Sequence, residues 1–279
     1  MRIDAHHHVW DLSVREQDWI QGDELAPLLR DFSMEDLAPE LEASGIDGTV
    51  LVQTVAAPEE TPEFLDIAGA HPSVLGVVGW LDLEDPNARA QLHEYREHPH
   101  GAKLVGIRDL AEYKPDVAWL ELDDVLANLR MLGDEGLTYD LLTRPPQLRA
   151  AITAVRACPE TTFVLDHLSK PDIAAGEIDA WARDIAVLAS LPNVSVKVSG
   201  MFTEATWDDW TLDAFRPYVE TLIATFGPSR MLFGSDWPVS TLAATYRQIV
   251  ETTEALLADL DPSDQEQVWS GTASRVYRL

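Results

Sequence analysis

Ile3-Asp4-Ala5-His6-His7-His8-Val9-Trp10-Asp11 opens the chain as an apolar stretch interrupted by three histidines. Side chains alternate along a strand, so His6 and His8 share one face, Asp4 has their parity, and His7 points the other way. Two imidazoles two residues apart at the end of a strand make half of a metal site or of an electrophilic clamp. The run is too short, and too well embedded in a strand pattern, to read as a purification scar. A role for it requires partners elsewhere in the chain.

Moving outward, residues 12–32 are irregular and aromatic, a long loop at the histidine end. Ser33-Met34-Glu35-Asp36 has the form of a capping box, and the apolar pattern behind it runs to Gly45. Strands are then expected at 49–53, 74–80, 103–108, 137–142, 162–167, 194–199 and 230–235. Between them lie helical patterns opened by Thr61-Pro62, Asp85-Pro86 and Pro145-Pro146, and others over about 120–132, 177–190 and 212–226. Two closing helices are expected at about 240–259 and 263–277. Eight strands, each followed by a helix, imply parallel strands with crossover helices. In this length they imply one α/β domain over residues 1–279, a (β/α)8 TIM barrel. An open doubly wound sheet is the alternative fold, but no glycine-rich dinucleotide loop supports it.

Composition narrows the function. Hydrophobic residues are 46% of the 279, enough for a sizeable core. The net charge of −28 opposes binding to nucleic acid, and Lys103, Lys114, Lys170 and Lys197 are the only lysines. A surface this acidic also fits adaptation to high salt, which screens self-repulsion. No apolar run approaches the roughly 20 residues of a membrane helix, and no signal peptide is evident. With the single Cys158 no internal disulfide can form, and a cytoplasmic enzyme is the simplest expectation.

Barrel enzymes build their sites at the C-terminal ends of the strands. That rule selects His6, His8, Gln53, Trp80, Arg108, Asp140, His167, Ser199 and Asp236. Polar groups ending apolar strands need a reason to be there. His167 and Asp236 join the first two histidines as the chemical set. Arg108 is a substrate anchor unless it pairs with a neighbouring carboxylate such as Asp109. Asp140 is either a substrate contact or a strand-end hydrogen bonder, and Gln53 and Ser199 read as network residues. Trp10, Trp80 and Trp237 supply rings on which a sugar-like ligand stacks. His71, His93, His98 and His100 fall in helices or loops at the other end and read as solvated.

These residues carry a resemblance. Ile3-Asp4-Ala5-His6-x-His8-x-Trp10, Gly79-Trp80-x-Asp82-Leu83, Val105-Gly106-Ile107-Arg108, Leu165-Asp166-His167-Leu168-x-Lys170-Pro171, Lys197-Val-Ser199-Gly200 and Phe233-Gly234-Ser235-Asp236-Trp237-Pro238 follow one another as in the amidohydrolase superfamily. Within it the chain resembles the sugar-lactone and pyrone-dicarboxylate lactone hydrolases. Two positions depart from that pattern: His7 stands where glutamine is usual, and Asp109 follows Arg108 where histidine is frequent. The resemblance implies a hydrolase acting on a small-molecule sugar lactone. His6, His8 and His167 would activate the carbonyl or bind metal, Asp236 would serve as base and further ligand, and Arg108 would hold the substrate. Gln53, Asp140, Trp10, Trp80 and Trp237 would complete the binding site. It further implies one divalent ion, zinc or manganese, or else none, with a protonated imidazole then needed for activity. A homo-oligomer is compatible. A metal-dependent decarboxylase and a non-catalytic ligand-binding barrel are the competing readings.

Overall fold

The structure, a computed structural model, describes all residues from Met1 to Leu279. Eight parallel strands follow in chain order: β1 (Ile3–His7), β2 (Gly48–Val52), β3 (Val74–Gly79), β4 (Leu104–Asp109), β5 (Thr138–Leu141), β6 (Thr162–Leu165), β7 (Val194–Val198) and β8 (Met231–Phe233). Each pairs with the next. The seam between the last and the first is closed just beyond β8, where His8 N donates to Trp237 O (2.7 Å) and Asp236 N donates to His6 O (2.8 Å). The result is a single (β/α)8 barrel.

The helices between strands are α1 (Met34–Ser44), α2 (Glu60–Ala70), α3 (Ala88–Glu97), α4 (Asp123–Asp134), α5 (Leu148–Ala157), α6 (Asp179–Ala189), α7 (Leu212–Thr225) and α8 (Tyr246–Leu256). The first shows its sequence logic plainly. Ser33 and Asp36 cap each other's backbone N–H groups, and Gly45 ends the helix at φ 65, a left-handed conformation that costs glycine little. The chain closes with α9 (Pro262–Glu266), a π-helical turn (Gln267–Gly271) and α10 (Thr272–Tyr277), in place of one continuous helix. Helix α8 also starts later than expected, behind its own Thr245–Gln248 capping box. No helix is long and apolar enough to cross a membrane.

Apolar side chains fill two regions. The larger packs the outer strand faces, such as Leu51, Ile107, Tyr139 and Phe163, against the helices. The smaller lies inside the barrel, where Ala5, Val50, Val52, Val78, Val164 and Leu232 meet Val276 and Tyr277 of α10. Tyr277 OH donates to Asp140 and Thr138 Oγ1 donates to Val276 O, which fastens this plug to β5. Toward the other end of the strands the interior turns polar. Arg108, Asp140, Asp166 and Lys197 are all buried there, two cations against two anions. That charge balance is what makes their burial tolerable.

Candidate active site

The parity expected for β1 holds for the histidines and fails for Asp4. The pairing of β1 with β2 shifts register between Asp4 and His7, as at a β-bulge. Asp4 therefore turns outward. It accepts from Ser235 N (2.8 Å) and from Tyr246 OH of α8 (3.0 Å) and holds the seam rather than the site. Beyond the shift, His6 and His8 converge, their Nε2 atoms 3.2 Å apart. His7 turns the other way, to Thr49 Oγ1 at 3.0 Å.

His167 and Asp236 reach the same point from β6 and β8 on strained backbone. His167, Leu168, Ser169 and Lys170 all have positive φ, at 53, 56, 60 and 48, one turn of left-handed helix without a glycine. Each such residue costs about 1–2 kcal/mol. Surrounding bonds hold the turn. Trp181 Nε1 donates to Leu168 O (2.7 Å), Ser169 Oγ meets Thr143 Oγ1 (2.8 Å), and His167 Nδ1 meets Ser199 Oγ (2.8 Å). Asp236 sits at φ 58 just beyond β8. Conformations of this cost persist where surrounding structure fixes them, commonly at functional sites.

One oxygen is the centre of the arrangement. Asp236 Oδ1 lies 3.5 Å from His8 Nε2, 3.7 Å from His167 Nε2 and 3.8 Å from His6 Nε2. Burial pushes the Asp236 carboxyl up, but the adjoining His167 and His8 imidazoles outweigh it and leave the group below its usual range, ionised at neutral pH. Burial lowers every imidazole of the set: His167 to about 4, His8 below its usual value, and His6 well down with the help of Lys197. The histidines are therefore neutral near pH 7. This corrects the expectation that a metal-free site must hold a protonated imidazole, because a neutral ring still offers one N–H donor.

Neutral rings also leave lone pairs for a metal. Ligand atoms of His6, His167 and Asp236 lie within 4.8 Å of one another. A tetrahedral zinc ion with bonds of about 2.0–2.1 Å spaces its ligands roughly 3.3 Å apart. A small contraction would bring these groups onto one divalent ion, so the residues fit that group in kind and spacing. His8, next to Asp236, is a fourth candidate.

Beneath the imidazoles lies the charged layer. Arg108 Nη1 donates to Asp166 Oδ2 (3.0 Å), and Nη2 donates to the backbone oxygen of Gln53 (2.5 Å). Arg108 thus pairs with Asp166 and not with Asp109, which accepts from Trp80 Nε1 (3.1 Å) and faces Lys114 (3.2 Å). Arg108 Nε is buried without a partner, and the guanidinium lines the pocket beside His8, His167 and Asp236. Lys197 donates to Asp140 Oδ2 (2.6 Å) and lies 2.9 Å from Asp166 Oδ1. Burial would raise the Asp166 carboxyl, but Lys197, His6 and Arg108 hold it well below the usual range.

Several residues expected at the substrate lie elsewhere. Asp140 is fully buried between Lys197 and Tyr277, out of the pocket. Gln53 braces Arg108, and Trp80 is turned to Asp109. Trp10 and Trp237 both pack edge-on against Phe32, with Trp10 Nε1 bound to Arg30 O, so neither ring lines the pocket. The aromatic residues lining the pocket are Trp19 and Tyr113, and Lys170 and Glu112 line it as well. Lys170 Nζ meets both oxygens of the nearly buried Glu112 at 2.7 Å. Lys197 and Asp166 carry a signal in the sequence, since each is a charged residue set in or directly behind an apolar strand. Trp19 and Glu112 had none, because long loops bring them in.

A family model described as amidohydrolase matches residues 3–279. An L-fucono-1,5-lactonase of Burkholderia ambifaria is 36% identical over 100% of this chain and 96% of its own length. A second protein of that name, from Burkholderia multivorans, is 32% identical over the same shares. Among solved structures, an amidohydrolase from Burkholderia multivorans with bound zinc superimposes with a TM-score of 0.93 at 31% identity, covering 100% of this chain and 99% of that one. On the whole-length match and these relatives together, the chain belongs to the amidohydrolase family.

Proposed function

We propose that this protein hydrolyses the lactone of a sugar acid, opening the ring to the free aldonate. The observation that carries the reading is one buried carboxylate oxygen, Asp236 Oδ1, with three imidazole nitrogens at 3.5–3.8 Å beside a buried guanidinium. The two full-length relatives named L-fucono-1,5-lactonases support the choice of ester.

Ester hydrolysis needs a deprotonated water and a stabilised oxyanion. Asp236 takes a proton from a water while the oxygen attacks the lactone carbonyl carbon. N–H donors from the imidazole set, with the Arg108 guanidinium, hold the charge that develops on the carbonyl oxygen. The ring C–O bond then breaks, and the proton held on Asp236 passes to the departing ring oxygen. Water is thereby added across the ester, and Asp236 is again a carboxylate. A divalent ion, zinc or manganese, would be held by His6, His167 and Asp236 with His8 adjoining, and would supply Lewis-acid polarisation of the carbonyl. The pocket walls suit a polyhydroxy ring: Trp19 and Tyr113 offer faces, while Lys170, Glu112 and Thr54 offer hydrogen bonds.

A panel of five- and six-membered aldonolactones, with L-fucono-1,5-lactone among them, followed with a pH indicator, tests the class. Acid release from at least one is expected. Silence across the panel overturns the reading, with CO2 release from aromatic or unsaturated acids pointing to decarboxylation and ligand binding without turnover pointing to a non-catalytic barrel.

A further inference from the structure

We infer that Glu112 sets the charge class of the substrate: by holding Lys170 it fits the pocket to lactones that carry hydroxyls and no carboxylate. The inference rests on the lactonase reading and adds to it a residue that selects among lactones. Apart from the histidines, four charged side chains line the pocket, Arg108 and Lys170 against Glu112 and Asp236. Neither cation is free. Arg108 Nη1 donates to Asp166 Oδ2 (3.0 Å), and Lys170 Nζ donates to both Glu112 oxygens at 2.7 Å. The Glu112 side chain is 2% exposed and that of Lys170 16%, so salt and water screen the pair little. Two of the three ammonium protons are taken by Glu112, which leaves one for a ligand oxygen. Lys170 is therefore offered as a single hydrogen-bond donor whose charge is already matched.

A substrate hydroxyl can use that donor at little cost. A carboxylate in its place gives up its water for cations that already hold anions, and it meets Asp236 as well. The pair is built into the fold from both sides. Lys170 ends the left-handed turn behind β6, at φ 48. Glu112 lies on the turn Ala111–Tyr113 behind β4, where Gln147 Nε2 donates to Ala111 O (2.6 Å) and Lys114 Nζ lies 3.2 Å from Asp109 Oδ2. Asp109, a departure from the family pattern, thus anchors the loop that carries Glu112. Arg144 also reaches Glu112, with Nε 3.4 Å from Oε2, but it is half-exposed, faces Glu204 at 3.5 Å and does not line the pocket.

The test pairs D-glucono-1,4-lactone with D-glucaro-1,4-lactone, the same ring with a carboxylate in place of the terminal hydroxymethyl group. Affinity is read by titration calorimetry, or as KM where a lactone is turned over, in wild type, Glu112→Gln and the double variant Glu112→Gln, Lys170→Met. Wild type should bind the carboxylate-bearing lactone at least about tenfold more weakly than the neutral one. Glu112→Gln should tighten the carboxylate-bearing lactone by about 10- to 100-fold, the worth of one charge-assisted bond. Loosening of the loop alone would instead weaken both lactones. Wild-type binding of the carboxylate-bearing lactone as tight as that of the neutral one, or no gain in Glu112→Gln, overturns the inference. The double variant should lose the gain, and a gain that survives it would assign the freed charge to Arg144 and remove Lys170 from the role. If the double variant does not fold, the change in the ratio of the two affinities on Glu112→Gln decides. Binding needs no turnover, so a protein that binds in this way yet releases no acid from the aldonolactone panel fails the lactonase reading alone.

Discussion

Gly200→Ala is a one-carbon perturbation aimed at the left-handed turn that carries His167. Gly200 follows β7 at φ 64, and a Cβ there would stand 2.6 Å from Cγ and Nδ1 of the His167 ring and 2.7 Å from its Cβ. Carbon contacts are comfortable at about 3.5–4.0 Å, so the ring must retreat by roughly 1 Å. It would lose its line to Ser199 Oγ and its place beside Asp236. A reacting group misplaced by about 1 Å costs on the order of 100-fold in rate. The left-handed backbone adds about 1–2 kcal/mol of destabilisation. Gly176 provides the control, because at φ 67 nothing stands within 4 Å of its added Cβ. Gly176→Ala should therefore pay a backbone cost of about 1–2 kcal/mol without touching the site. The assay is kcat/KM on the best aldonolactone together with thermal melting. Both variants should lose about 2–4 °C in Tm per kcal/mol, and only Gly200→Ala should lose about 100-fold in turnover. Near wild-type turnover in Gly200→Ala, or an equal loss in Gly176→Ala, would refute this account of how His167 is placed.

Three further outcomes are expected. Arg108→Met removes one of the two cations facing Asp166 and leaves Lys197 alone against two buried carboxylates, which should cost about 3–5 kcal/mol, read from denaturant unfolding; a loss below about 1 kcal/mol would mean the pair is not buried as described. The His167 value of about 4 lies below its unfolded value near 6.5, so the unfolded chain takes up the proton first. Its contribution is complete above pH ~6.5 and is lost as pH falls toward 4. The stability advantage of wild type over His167→Gln should shrink across that window, and kcat should stay flat as pH rises from about 6 to 8; a fall in kcat through pH 6.5 would restore a protonated imidazole. With a net charge of −28, the melting temperature should rise between low-salt buffer and molar KCl, and no rise would remove self-repulsion as a factor.

The barrel was legible because its strands are apolar runs separated by well-marked helix starts, and the site was legible because such barrels place function at strand ends. His6, His8, Arg108, His167 and Asp236 all come from that rule, and the fold does bring them to one place. The misplaced residues have separate causes. Parity counting assumes an unbroken ladder, and the register shift in β1 sends Asp4 to the opposite face from His6. Asp140 has the right position on β5, yet it lies one layer too deep, where Lys197 and Tyr277 claim it. That Trp19 and not Trp10 lines the pocket depends on how a long loop folds back, which no local pattern fixes. The same holds for the left-handed turn at 167–170, whose residues include no glycine to announce it.

Asp236→Asn is the most direct test of the central claim. The substitution keeps the shape and removes the proton acceptor, so the variant should fold and bind as wild type does. On whichever aldonolactone the wild-type protein opens fastest, kcat should fall by about 100- to 10,000-fold with KM little changed. A variant that keeps its turnover to within about tenfold would contradict the assignment of Asp236 as the base.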